Sequence, residues 1–112
     1  MESIQFRKPE TVDEAVKLLQ GADGDARILA GGTDLLVQLR AHMIDPGVIV
    51  DIKSIAETRE LTKNDDGSYT IGAAVAGAEA HERDDITADW PGVIEAWDLI
   101  GSTQIQGRAS LG

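Results

Sequence analysis

A small α+β domain with a parallel βαβαβ core is what this sequence predicts, and three observations predict it. The first half alternates apolar runs of strand length with amphipathic stretches of helical period, joined by short connections. Val48-Ile49-Val50-Asp51-Ile52 is the strongest strand signal in the chain. The second half changes character, with a β-hairpin around Asn64-Asp65-Asp66-Gly67 and then a helix that begins near Pro91.

Each element has its own warrant. Ile4-Gln5-Phe6 alternates as a short strand does, and Pro9 stops it. Thr11 to Glu14 has the form of a capping box, with Thr11 as N-cap and Glu14 reaching back. Val12, Val16 and Leu19, with Ala15 beside them, give the first helix an apolar face that Gly21 ends. Arg27-Ile28-Leu29-Ala30 is an apolar run suited to a buried strand. The second helix is predicted from Thr33, as N-cap, to Ala41, with Leu35, Leu36 and Leu39 on its apolar side. Asp45-Pro46-Gly47 is turn chemistry leading into Val48. In the second half, Asp66-Gly67 supplies the hairpin turn, and the small residues from Ala73 to Ala80 permit close packing. His81 to Asp89 reads as a charged surface segment. Val93, Ile94, Trp97 and Ile100 form the apolar face of the helix after Pro91.

Composition bounds what this chain does. Its 112 residues hold at most one domain, 42% are apolar and only 4% aromatic, so the core rests on Val, Ile, Leu and Ala. A net charge of −10 without a basic stripe argues against nucleic acid or an anionic membrane as partner. Cysteine is absent, which excludes thiolate chemistry, iron–sulfur ligation and disulfides within these residues. No apolar run approaches membrane-spanning length and the N-terminus lacks a signal pattern, so the chain reads as soluble and cytoplasmic.

One stretch carries a site hypothesis: Ile28-Leu29-Ala30-Gly31-Gly32-Thr33-Asp34-Leu35-Leu36. A strand that ends in Gly-Gly and restarts as a helix gathers free backbone N–H groups at one point, which suits a phosphate. Glycine also permits positive φ and close approach of a ligand to the backbone. In a parallel sheet this turn falls at the carboxyl edge of the strands, where ligands bind. The same turn serves equally as a tight connection without a ligand. Asp34 raises an electrostatic objection. A carboxylate about 4 Å from a phosphate, at an effective dielectric near 20, is repelled by roughly 4 kcal/mol per charge pair. Its side chain must then turn away and bond loop amides, or else accept from a sugar hydroxyl.

Other candidates are bland. His42 and His81 stand alone without metal-ligand spacing, and no catalytic acid, base, nucleophile or metal site is assigned. Asp65-Asp66-Gly67 lacks the later ligands of a calcium loop and reads as a turn. Glu82, Asp84, Asp85 and Asp89 form a solvated face, and Trp97 is a core or interface anchor. Neither a Walker A nor a G-x-G-x-x-G pattern occurs.

Four stretches in order carry a resemblance: ILAGGTDLLVQLR from Ile28, VIVDIKSI from Val48, YTIGAAV from Tyr69 and IGSTQIQGRASLG from Ile100. Together they resemble the FAD-binding medium subunit of molybdenum hydroxylases, the group that includes xanthine dehydrogenase and aerobic carbon monoxide dehydrogenase. The resemblance spans essentially the whole chain. It implies the first, smaller subdomain of a two-subdomain FAD-binding fold, with FAD between the two. It also implies a cofactor site at Leu29, Ala30, Gly31, Gly32, Thr33 and Asp34, with Leu35 adjoining, around the FAD pyrophosphate. Ser110-Leu111-Gly112 matches the start of the family's second loop, T-I-G-G-N, and the sequence ends before the remaining Gly and Asn. The apolar, uncapped ending reads as a cut inside that loop, so the fragment is expected to bind FAD weakly or not at all alone and to expose an apolar docking face. Partners implied by the family are a large subunit with the molybdenum cofactor and a 2Fe-2S small subunit. FAD there carries electrons from the clusters to an external acceptor. Two other classes stay open: a non-catalytic assembly module of the same complex, and an unrelated phosphate-binding α/β domain.

Overall fold

The computed structural model describes residues 3–112. Three parallel strands, β1 (Gln5–Arg7), β2 (Ala26–Leu29) and β3 (Val48–Asp51), form a sheet in the order β1-β3-β2. Phe6 pairs with Ile49 and Ile28 with Val50. The middle place goes to the strand with the unbroken Val-Ile-Val run, and Ile49 and Val50 are fully buried there. That placement corrects the reading of β2 as buried. A three-stranded sheet has one interior strand, so β2 lies at an edge and Ile28 stays 53% exposed.

Helix α1 (Val12–Gln20) begins where its sequence said it would, with Thr11 Oγ1 accepting from the Glu14 N–H at 3.1 Å. The Glu14 carboxylate accepts from the N–H of Glu10, one residue beyond the cap. Its buried stripe is Ala15 with Leu18 and Leu19, which packs with Val50 and Ile55. Val12 and Val16 remain exposed, contrary to the predicted face, because the narrow sheet covers only the Ala15 side.

Helix α2 (Leu35–Arg40) is shorter than predicted, and its cap position is Asp34 and not Thr33. Asp34 already has helical dihedrals and makes no capping bond. The far end closes as a Schellman motif: Met43 N–H donates to Gln38 O, His42 N–H to Leu39 O, and His42 takes φ +56°. Histidine is among the few non-glycine residues that tolerate that conformation.

Beyond β3, a 3-10 turn (Ala56–Arg59) leads to an antiparallel hairpin of β4 (Leu61–Lys63) and β5 (Tyr69–Ile71). Its three-residue loop closes through Gly67 at φ +87°. Then come α3 (Gly77–His81), α4 (Asp84–Asp89), α5 (Pro91–Asp98) and α6 (Thr103–Gln106). The segment read as a charged surface therefore folds, and α4 buries Ile86 beneath its acidic side. Pro91 opens α5 as predicted, and Ile94 and Trp97 are buried. Val93 and Ile100 from the predicted face are partly exposed. A second core of Val75, Ala80, Ile86, Ile94 and Trp97 results, closed by Leu61, Tyr69 and Ile71.

The small residues from Ala73 to Ala80 serve packing. A Cβ at Gly77 would lie 2.7 Å from the Trp97 indole, so the ring rests on bare backbone. Trp97 Nε1 donates to Ala109 O at 3.1 Å, and Gly77 N–H donates to the same oxygen at 2.9 Å. Gly112 N–H in turn donates to Ala73 O. The last residues thus run antiparallel to Ala73–Gly77, with a bridge between Ala76 and Ser110. The molecule is a plate of 47 × 31 × 15 Å holding two small cores. Large apolar side chains stay exposed at Val37, Met43 and Leu99, among others.

Candidate functional site

The loop after β2 and the segment at the chain end meet at Gly31 and Arg108. A cavity of about 290 Å³ lies there, and eight of the ten predicted site residues line it: Ala30, Gly31, Gly32, Thr33, Asp34, Leu35, Ser110 and Gly112. Leu29 and Leu111 do not. Leu29 ends β2 with its side chain beside Gly32, and Leu111 is exposed outside the cavity. Sequence reading did not single out Arg27 and Gln38, which complete the polar lining.

Backbone N–H groups are the chief chemical resource. Among the described residues, no protein acceptor takes a hydrogen bond from the N–H of Gly31, Gly32, Thr33, Asp34 or Leu35. The first N–H of the turn to find one belongs to Leu36, which donates to Gly32 O at 3.2 Å. Five consecutive donors in cavity-lining residues are costly unless water or a ligand accepts from them. An anion with several oxygens, such as a pyrophosphate, matches that need. Helix α2 has only six residues, so the loop itself carries the binding potential and not a long helix dipole.

The glycines are required for a reason other than ligand approach. A Cβ at Gly31 would stand 2.6 Å from the Arg108 carbonyl carbon and closer still to its oxygen. Gly31 is therefore the contact point between the two loops. Gly32 has φ +80°, and a Cβ there would press the Leu36 and Leu29 side chains at 3.0 and 3.1 Å. Neither position has a ligand-facing Cβ vector. Loop packing and backbone conformation therefore call for glycine at these two positions independently of any ligand.

Two cations hold the loop from behind. Lys53 Nζ donates to Ala30 O at 2.7 Å and pairs with Asp51 at 3.0 Å. Arg108 Nε donates to Gly31 O at 2.9 Å. Burial raises the Asp51 pKa, but the Lys53 N–H and ammonium outweigh it and hold the carboxyl below its usual range. Neither cation was picked from sequence. Lys53 had a signal available, since it stands two residues past the end of the strand that pairs with Leu29. Arg108 lay inside the quoted stretch that begins at Ile100.

Asp34 resolves one way. Its carboxylate accepts from Gln38 Nε2 at 2.6 Å, across the first turn of α2, and not from loop amides. The histidines stay apart from the cavity: His42 closes α2, and His81 Nδ1 lies 2.9 Å from the Asp98 carboxylate. Among the described residues there is no cluster of three or more His, Cys, Asp or Glu that could hold a metal. Nor, among those residues, is any helix long and apolar enough to cross a membrane.

Fold and site together define a class: an α+β domain whose glycine turn, held by Lys53 and Arg108, follows a strand of a parallel sheet and lines a cavity. The family model described as the FAD binding domain in molybdopterin dehydrogenase matches residues 2–112, and the chain belongs to that family. Among curated relatives, the xanthine dehydrogenase FAD-binding subunit of Escherichia coli O157:H7 is 36% identical over 108 residues, covering 96% of this chain and 36% of the relative. Among solved structures, carbon monoxide dehydrogenase from Hydrogenophaga pseudoflava superposes with a TM-score of 0.89 at 31% identity, covering 97% of this chain and 38% of that one. Quinoline 2-oxidoreductase from Pseudomonas putida 86 also gives 0.89, at 25% identity, over 99% of this chain and 38% of that one. The chain thus spans little more than a third of these relatives.

Proposed function

We propose that this chain is the first subdomain of an FAD-binding domain and holds the FAD pyrophosphate on the Gly31–Leu35 turn. Five N–H groups without a protein partner, in residues that line one cavity, carry the reading. Ala30 adds wall on one side, and Ser110 and Gly112 approach from the second loop, while Leu29 packs beside Gly32 and Leu111 is exposed, both outside the cavity. A second subdomain would supply the rest of the cofactor's surroundings.

Within that role each residue has a physical task. Gly31 and Gly32 set the path of the turn, so that successive N–H groups can converge on phosphate oxygens. Asp34, kept in place by Gln38, is suited to accept from a sugar hydroxyl of the cofactor and is unsuited to sit against a phosphate. Bound FAD supplies the electron-transfer chemistry, while the protein supplies position and electrostatics. Besides Asp34 the cavity presents the Arg27 guanidinium and the Thr33 and Ser110 hydroxyls, neither hydroxyl bonded to a side-chain base among the described residues, and the chemistry is left to the cofactor, so the separate piece is inactive. The complex it serves is a molybdenum hydroxylase in the cytoplasm. There a large subunit bears the molybdenum cofactor, a small 2Fe-2S subunit relays electrons, and FAD delivers them to an external acceptor.

The test is an FAD titration of the intact protein, followed by flavin absorbance and fluorescence. Stoichiometric uptake of one FAD per chain, competed by ADP, supports the reading. Protein that stays colourless in excess FAD under native conditions overturns it.

A further inference from the structure

The cations behind the glycine turn occupy a specific geometric position. Every peptide bond described here is trans, so the C=O of one residue and the N–H of the next lie in one plane and point in opposite directions. A donor on Ala30 O therefore sits opposite the Gly31 N–H, and a donor on Gly31 O sits opposite the Gly32 N–H. Lys53 Nζ holds the first of these oxygens at 2.7 Å and Arg108 Nε the second at 2.9 Å. The two carbonyls are successive, and the cations arrive from different elements, β3's end and the second loop. We propose that Lys53 and Arg108 are positioning residues for the cofactor, which fix and polarise the Gly31 and Gly32 peptides so that their N–H groups face an incoming phosphate.

Two features make this more than surface salt-bridging. A charged donor on a carbonyl withdraws electron density along the peptide and strengthens the N–H at its other end, as hydrogen bonds in series do. Both N–H groups so strengthened lack a protein acceptor among the described residues. Lys53 is itself steadied by Asp51 at 3.0 Å and is only partly exposed. Arg108 meets Gly31 twice, through its guanidinium on the carbonyl and through its own backbone carbonyl, which fills the space a Gly31 Cβ would take. The second loop thereby sets the orientation of the first.

This inference rests on the FAD reading, and the experiment separates the two. Lys53→Met and Arg108→Met are compared with Lys53→Arg and Arg108→Lys in the intact protein, by FAD titration and by backbone amide resonances of the FAD-free state. Each Met variant is expected to weaken FAD binding roughly tenfold, about the worth of one charge-assisted hydrogen bond. The charge-keeping variants stay within about threefold of wild type by the same scale. Without FAD, Lys53→Met shifts the Gly31 amide resonance and Arg108→Met the Gly32 resonance, while that of Gly67 in the distant hairpin is unmoved. If a Met variant fails to fold, Lys53→Gln or Arg108→Gln is held to the same criterion. Wild-type protein that takes up no FAD sinks the FAD reading itself. Wild-type uptake with folded Met or Gln variants that bind FAD as well as wild type sinks this inference alone.

Discussion

Gly31→Ala is the sharpest probe of how the two loops make one site. Gly31 does not have positive φ, so alanine brings no backbone strain there. What it brings is one methyl group, 2.6 Å from the Arg108 carbonyl carbon and 3.4 Å from the Ala109 nitrogen. Ordinary contact begins near 3.4 Å and the Arg108 oxygen lies closer than the carbon, so the loops must part by roughly 1.5 Å. The Arg108 to Gly31 hydrogen bond, 2.9 Å long, stretches beyond useful range if they do. Forcing extra volume between well-packed segments costs about 1–3 kcal/mol, and the lost charged hydrogen bond adds about 1.5 kcal/mol or more. FAD affinity should fall by about 10- to 100-fold, since one or two misplaced N–H donors to a charged phosphate cost about 1.5–3 kcal/mol and about 1.4 kcal/mol is tenfold. Chemical denaturation of the FAD-free protein and FAD titration measure both effects. Gly47→Ala is the control, because a Cβ there meets nothing within 4 Å. A Gly31→Ala protein with wild-type stability and FAD affinity would refute the claim that Gly31 is the point of closure between the loops.

Three further outcomes follow from the same structure. Trp97→Phe removes the Nε1 donor to Ala109 O but leaves the Gly77 bond to that oxygen, so the lost bond should cost about 0.5–1.5 kcal/mol in denaturant unfolding, with more from the lost ring volume, and raise hydrogen exchange at residues 109–112. Asp51 has a folded pKa below its usual value of 3.8, so its contribution is present at neutral pH and is lost as pH falls through about 4 and below. Stability measured against pH should therefore decline more shallowly on the acid side in Asp51→Asn than in wild type. Gly92→Ala, in the first turn of α5 with open space around it, should stabilise by about 0.5–1 kcal/mol in the same denaturation assay.

How much was legible in the sequence varies with the kind of signal. The order of strands and helices through Asp51 was readable, because apolar period and turn residues act locally. The strength of Val48-Ile49-Val50 marked the strand that the sheet buries most, yet the order β1-β3-β2 and the exposure of Ile28 depend on tertiary placement. Helices α3, α4 and α6 went unread because four to six residues show too little of a 3.6 period. Ile86 alone anchors α4 in the core, and a single apolar residue among acids looks like surface. Within the site, the glycine turn and the Ser110-Leu111-Gly112 loop were legible as motifs. Lys53 and Arg108 were not, because their task is defined by which carbonyls they reach across 23 and 77 residues of sequence. The loop-packing reason for glycine was also hidden: a Cβ at Gly31 would meet the Arg108 backbone.

The central claim is that this turn receives the FAD pyrophosphate, and a crystal structure of the intact protein with FAD bound tests it most directly. The account predicts phosphate oxygens about 3 Å from backbone nitrogens between Gly31 and Leu35, with Lys53 and Arg108 still on the opposite carbonyls. A pyrophosphate bound elsewhere, with those five N–H groups facing only water, would contradict it.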